Sequence, residues 1–204
     1  MAVNRADVTD GDGLVRFFER CESRCYCRYW HFEGDKNDWL DRCANRPVEN
    51  RAQALRSLGA PKGATAVIAR VTGANEIVGW SQLAFASDVP KVVEQRYYRN
   101  LPCLQDGRSE MMVVLCMLVH PAHRRHGIGL ALARGAIEEA RSRGAKMLVA
   151  LPRVSLERVS DEELWLGPHS AYARLGFEEV HRERPYPVLM LNLAQSASPA
   201  VVAR

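Results

Sequence analysis

No stretch of the 204-residue chain approaches the roughly 18 consecutive apolar positions that a membrane-crossing helix needs. The N-terminus has no signal-peptide apolar region either, so the expectation is a cytoplasmic protein without a membrane partner. Dense Lys/Arg tracts are missing and the net charge is only +4, which argues against nucleic acid and suits a small anionic ligand. Two phosphate-binding fingerprints fail. The dinucleotide pattern G-x-G-x-x-G needs a glycine where Leu132 stands, and no Gly-Lys-Ser/Thr of a P-loop occurs. Internal repeats and dividing linkers are also lacking. With 47% hydrophobic residues, the chain is expected to build one domain over residues 1–193 and to fray from 194 to 204.

Cysteine is present but sits in no framework spacing. Cys21, Cys25, Cys27 and Cys43 fall in the first quarter, with Cys103 and Cys116 further on. The paired C-x2-C spacing of structural zinc sites is absent, and no metal is expected. Cys21-x3-Cys25-x-Cys27 followed by His31 keeps a zinc-stabilised interaction module open as an alternative. Without an export signal, free thiols are expected rather than a disulfide framework.

What the chain does contain centres on Met111–Arg143. An apolar run, Met111 to Val119, reads as a buried strand that Pro121 stops. A basic turn (His123, Arg124, Arg125, His126) leads into Gly127-Ile128-Gly129. Then Leu130, Leu132, Ala133, Ala136, Ile137 and Ala140 recur at helical spacing, with Gly144 at the C-cap. The first turn of a helix leaves backbone N–H groups without partners, and the dipole makes that end partly positive. Two glycines let an anion approach that backbone closely, so a strand–glycine turn–helix with flanking arginines is suited to phosphate. An ordinary glycine turn with solvated basic residues is the plain alternative.

Elsewhere the sequence predicts a strand over Val3–Val8, with Thr9 or Asp10 capping a helix that carries Leu14, Val15, Phe17 and Phe18 on its apolar face. Helices are predicted at Asp38–Cys43 and, begun by Pro47, at Val48–Leu58. Ala64–Val71 and Glu76–Phe85 form a hairpin, and part of Asp88–Leu101 is helical. Lys146–Leu151 is a strand parallel to Met111–Val119 through a right-handed crossover. Val154–Glu163 is expected to be a mobile polar connection, followed by a helix over Leu164–Arg174 and strands at Phe177–Arg182 and Val188–Leu193.

Arg124-x-x-Gly127-x-Gly129, entered through Val119-x-Pro121, resembles the acyl-CoA pyrophosphate loop of the GNAT superfamily of N-acetyltransferases. Tyr172-Ala-Arg-Leu-Gly176-Phe177 is similar to that family's Y-x-x-x-G-F near the C-terminus, and Gly79-Trp80 to its G-W/F. Cys25-Tyr26-Cys27-x-Tyr29-Trp30 looks like a signature of a bacterial branch of the same superfamily. The resemblance implies an α/β (α+β) fold: a central mixed, mostly antiparallel sheet with two splayed parallel central strands, flanked by helices. It implies acetyl-CoA as co-substrate, its pantetheine arm pairing with backbone near Leu118 and Val119. The pyrophosphate would be held by main-chain groups from Arg124, Arg125, His126, Gly127, Ile128, Gly129 and Leu130.

The chemistry so implied is direct attack of a primary amine, on a small molecule or peptide, upon the thioester. An amine with a pKa of about 10.4 must lose a proton, and a departing thiolate with a pKa of about 8.5 gains from receiving one. Tyr172 stands where the family places its general acid. The family's basic glutamate falls on Val113, which cannot serve, so Glu110 is the candidate base and a water chain the alternative. A cysteine nucleophile, Cys116 or one of Cys21–Cys27, would need an activating base, and no histidine stands at a telling spacing. A non-catalytic acyl-CoA sensor of the same fold is the alternative function. The stretch 21–32, Trp80, Tyr97, Tyr98 and Trp165 are the expected walls of the acceptor pocket. The oligomeric state is left open, a homodimer being one option.

Overall fold

The computed structural model describes residues 1–60, 63–155, 157 and 160–194. In chain order these form β1 (Ala2–Arg5), α1 (Gly11–Arg20), α2 (Lys36–Asn45), α3 (Pro47–Ser57), β2 (Thr65–Arg70), β3 (Ile77–Phe85) and α4 (Pro90–Val93). Then come β4 (Met111–Val119), α5 (Ile128–Ser142), β5 (Met147–Ala150), α6 (His169–Ala173), β6 (Glu178–His181) and β7 (Val188–Asn192). The tail expected to fray lies, apart from Ala194, outside the described residues. Within the connection expected to be mobile, Asp161–Leu164 makes a 3-10 turn closed by a capping box between Ser160 and Glu163.

The strands build one mixed sheet in the order β1-β2-β3-β4-β5-β7-β6. Every neighbouring pair is antiparallel except β4 with β5. That parallel pair is short: Met111, Met112 and Val113 meet Met147, Leu148 and Val149, and the pairing stops there. A bulge helps to explain the parting. Across β3, Val114 faces Leu83 and Cys116 faces Gln82, so Leu115 is the extra residue. An extra residue bends its strand and adds twist. From Leu115 onward, no strand among the described residues lies beside the side of β4 turned toward β5, as the resemblance implied.

The bulge also resets which side chains face which layer. Met112, Val114 and Met117 pack beneath α5 with Ile128, Leu132, Ala133, Ala136, Ile137 and Ala140. Val113 and Leu115 face the opposite layer with Trp30, Val92 and Tyr98. Cys116 also leaves the α5 side, joining Phe17, Phe18, Tyr26 and Trp80. Leu132 is fully buried, and burying such a side chain contributes about 1.5–3 kcal/mol. Leu130, grouped by periodicity with that face, is only half-buried and belongs to the cavity described below. The helix ends as predicted. Gly144 takes φ +75°, with Gly144 N–H on Arg141 O (2.9 Å) and Ala145 N–H on Ala140 O (3.0 Å).

Two expectations are corrected at the N-terminal side. β1 ends at Arg5, and Asp7 caps the 3-10 turn Val8–Asp10 that follows, its carboxylate accepting from Thr9 N–H (2.7 Å), while Asp10 stands at the N-cap position of α1 without making a capping hydrogen bond. Asp10 is instead buried, pairing with Arg70. The free-thiol expectation fails for two of six cysteines. Cys27 and Cys116, 89 residues apart in sequence with Cα atoms 6.2 Å apart, are joined by a disulfide. It ties the loop after α1 to β4, while Cys21, Cys25, Cys43 and Cys103 remain free. Among the described residues no helix is long and apolar enough to cross a membrane.

Candidate active site

The turn before α5 is built to expose backbone donors. Arg125 and Gly127 take positive φ (+65° and +78°) on either side of His126. Such alternation makes successive N–H groups converge, an arrangement that suits an anion. Gly127 is the N-cap of α5 and, among the described residues, no side chain caps the helix, so the first-turn amides are left to whatever lies in front of them. The dipole of the 15-residue helix adds positive potential at that spot. Close packing from below fixes the position of this end. Gly79 on β3 leaves room for it: a Cβ there would stand 2.9 Å from Ile128 Cγ2 and 3.0 Å from Leu132 Cδ1.

In front of these amides lies a cavity of about 920 Å³. Its floor is the free side of β4, Leu115 to Val119, and the loop residues Arg124, Arg125, Gly127, Ile128, Gly129 and Leu130 close one end. The other walls come from Cys21, Cys25, Cys27, Tyr29 and Trp30 after α1, and from Asp161, Leu164, Trp165, Gly167 and Pro168 before α6. Among the described residues, four arginines (Arg20, Arg124, Arg125, Arg174) against two carboxylates (Glu22, Asp161) make the lining net positive. This donor set fits a diphosphate.

Of the residues named from sequence for the coenzyme, Leu118, Val119, Arg124, Arg125, Gly127, Ile128, Gly129 and Leu130 all reach the cavity. His126 does not line it; its Nδ1 lies 2.7 Å from the carbonyl of Arg124. Leu118 and Val119 differ in what they offer. His120 N–H donates to Val78 O across β3 (2.9 Å), and backbone directions alternate along a strand, so Leu118 also faces β3. Leu118 therefore contributes its side chain, whereas the main chain of Met117 and Val119 turns to the open side. Arg124 spans this corner, its Nε donating to Val119 O (3.2 Å) and its Nη1 lying 3.8 Å from Asp161.

The acid and base named from sequence are not on the wall. Tyr172 is fully buried, T-shaped against Phe177, and its hydroxyl donates to Leu166 O (2.7 Å). Burial pushes its pKa well above the ordinary phenol value of 10.0. Glu110 precedes the first residue of β4, at the opposite end of the strand from the cavity, and its carboxylate contacts Lys146. Proximity in sequence misled there, because the splay opens only at the C-terminal half of the strand. The cysteine-nucleophile alternative also loses ground. Cys116 is in the disulfide, and burial pushes the Cys21 thiol up to about 11, which keeps it protonated.

Among the expected acceptor walls, the 21–32 stretch and Trp165 take part, with Trp30 and Trp165 stacked at 5.6 Å between centroids. Trp80 does not; it is buried against Phe18. Tyr97 pairs with Tyr186 and Tyr98 is buried under α4, both away from the cavity. Glu22 and Asp161 were missed. Glu22 carries one signal visible only in the fold, a φ of +51° that is uncommon for a residue with a side chain.

A sheet opened between two parallel strands, beside an amide-lined anion cup at a helix N-terminus, defines a class of acyltransferase folds. Comparison with known families specifies it: the model described as "Acetyltransferase (GNAT) family" matches residues 15–177. The chain belongs to the GNAT acetyltransferase family. None of the curated proteins matches it. Among solved structures it is similar to an aminoglycoside 6'-acetyltransferase type Ii (15% identity, 95% of this chain and 97% of that one, TM-score 0.52). It is similar also to the GNAT domain of S. lividans PAT (16%, 93% and 89%, 0.52). A third is yncA from Salmonella typhimurium, solved with its cofactor acetyl-CoA (18%, 98% and 98%, 0.51). At these identities the likeness is one of fold.

Proposed function

We propose that the protein transfers an acetyl group from acetyl-CoA to a primary amine of a small molecule or peptide, by direct attack on the thioester, within one acyltransferase domain over residues 1–193. The observation that carries this reading is the uncapped N-terminus of α5, with its positive-φ turn, set beside the free side of β4 in one cavity. Family membership and the acetyl-CoA in the yncA structure support it. The diphosphate would sit on the main-chain amides of Arg125–Leu130, with Arg124 and Arg125 adding charge. The pantetheine amides would pair along Met117 and Val119. Because backbone carries most of these contacts, Arg124→Ala is expected to weaken binding without abolishing it.

The amine must be deprotonated before it attacks. Of the two carboxylates on the wall among the described residues, Asp161 is paired with Arg124, and Glu22 is the one assigned to take the proton, directly or through water. Glu22→Gln is then expected to slow turnover at neutral pH and to matter less near pH 9, where more amine arrives uncharged. Equal rates at both pH values would remove Glu22. Tyr172 keeps the role of acid toward the leaving thiolate only if its hydroxyl leaves the carbonyl of Leu166. That engaged hydroxyl favours a second reading, a non-catalytic acyl-CoA sensor. Release of free thiol on mixing acetyl-CoA with a panel of amines separates the two: an amine-dependent signal is expected, and its absence across the panel alongside tight CoA binding supports the sensor.

A further inference from the structure

The segment Ser160–Gly167 occupies several groups that the proposed reaction needs. Met117 N–H, on the free side of β4 beyond its pairing with β5, donates to Trp165 O (2.6 Å). The Trp165 indole lies nearly parallel to Trp30 (26°), and Trp30 Nε1 donates to Leu115 O (2.9 Å), so the carbonyl two residues earlier on that side is also taken. Asp161 lies beside Arg124 at the anion cup (3.8 Å). The Tyr172 hydroxyl donates to Leu166 O (2.7 Å), and Gly167, at φ +87°, approaches that hydroxyl so closely that no Cβ would fit. One short segment therefore pairs with the strand, the phosphate loop and the family's acid at once.

We infer that Ser160–Gly167 is an internal occupant of the acyl-CoA groove, a strap that acyl-CoA displaces; the inference rests on the acyl-CoA reading above. The competition is for identical atoms. A pantetheine carbonyl and the Trp165 carbonyl both seek Met117 N–H, and a diphosphate and the Asp161 carboxylate both seek Arg124. A closed strap lowers the apparent affinity for CoA by the fraction of molecules it holds shut. Opening it removes the Leu166 carbonyl from Tyr172 and frees that hydroxyl in the same movement, so coenzyme binding and readiness of the acid are linked. Trp165 is 39% exposed and stacks on Trp30, which makes it the residue to remove.

The test compares the full chain with Trp165→Ala by calorimetry, using two probes: CoA, and 3′-phosphoadenosine 5′-diphosphate, which has the phosphates but no pantetheine arm. Losing the aromatic pair is expected to tighten CoA about three- to tenfold. The nucleotide probe should tighten by less than CoA, because it competes with the strap only at Asp161 and can bind with the Met117–Trp165 contact still in place. Unchanged or weaker CoA binding, or equal tightening of both probes, overturns the strap. If neither probe binds either protein, the acyl-CoA reading itself fails, and the strap with it. A second measurement needs no variant. Hydrogen exchange at 160–167 should speed up when CoA is added to the unmodified chain, and slower exchange would mark the segment as a clamp over bound coenzyme instead.

Discussion

Gly79 and Ile128 meet across the sheet–helix interface so closely that a Cβ on the first would stand 2.9 Å from Cγ2 of the second. Ile128 opens α5, so β3 sets the height of the helix end on which the proposed diphosphate contacts depend. Gly79→Ala is expected to cost about 1–3 kcal/mol by overpacking, with a fall in Tm and weaker CoA binding together. A lowered Tm with unchanged CoA affinity would mean that Ile128 absorbs the methyl without moving the amides.

Tyr172→Phe separates a structural phenol from a catalytic one. Loss of its hydrogen bond to Leu166 should cost only about 1 kcal/mol of stability. If the freed hydroxyl protonates the leaving thiolate, turnover should fall about a hundredfold. Steady-state kinetics with a responsive amine checks this, and unchanged turnover removes Tyr172 from the mechanism.

The disulfide is testable by counting thiols. Alkylation of the denatured chain without reductant should label four cysteines, and six after reduction. Closing a loop of 89 residues is worth about 4–5 kcal/mol in the chain-entropy account, so reductant should also lower Tm clearly. Six labels without reductant would contradict the bond.

His31 gives stability a pH dependence. Burial first, and then the nearby Arg28 charge, push its pKa down from 6.5 to about 4. Between those values the unfolded chain binds a proton that the folded chain does not, so stability rises with pH in that window. It is fully present above about 6.5, declines as pH falls toward 4, and loses nothing more from this group below that. The contribution is about 3 kcal/mol, and His31→Gln should flatten this part of a denaturation-versus-pH curve. An identical slope in both proteins would rule His31 out as its source.

Much of the scaffold was legible because local signals agreed with the tertiary outcome. Met111–Val119 is apolar throughout and buried over most of its length, and Pro47, Gly127 and Gly144 sit where helix ends need them. The site was half legible. Glycines and arginines around residue 127 mark an anion cup by themselves, since backbone shape there follows from residue type. Glu110 and the Cys27–Cys116 bond were not readable, each for a separate reason. Glu110 is near the active strand in sequence but at its wrong end. The cysteines are brought together by a sheet that spacing does not report. The bond from Met117 to the Trp165 carbonyl is invisible for a deeper reason: it joins two backbone groups, and backbone carries no letter.

The most direct test of the account follows amide resonances of the labelled chain during titration with CoA. The largest shifts are expected at Arg125–Leu130 and at Met117 and Val119, saturating at one equivalent. Saturable shifts confined to another face, or none at all up to millimolar CoA, would contradict the central claim that the N-terminus of α5 and the open side of β4 form the acyl-CoA site.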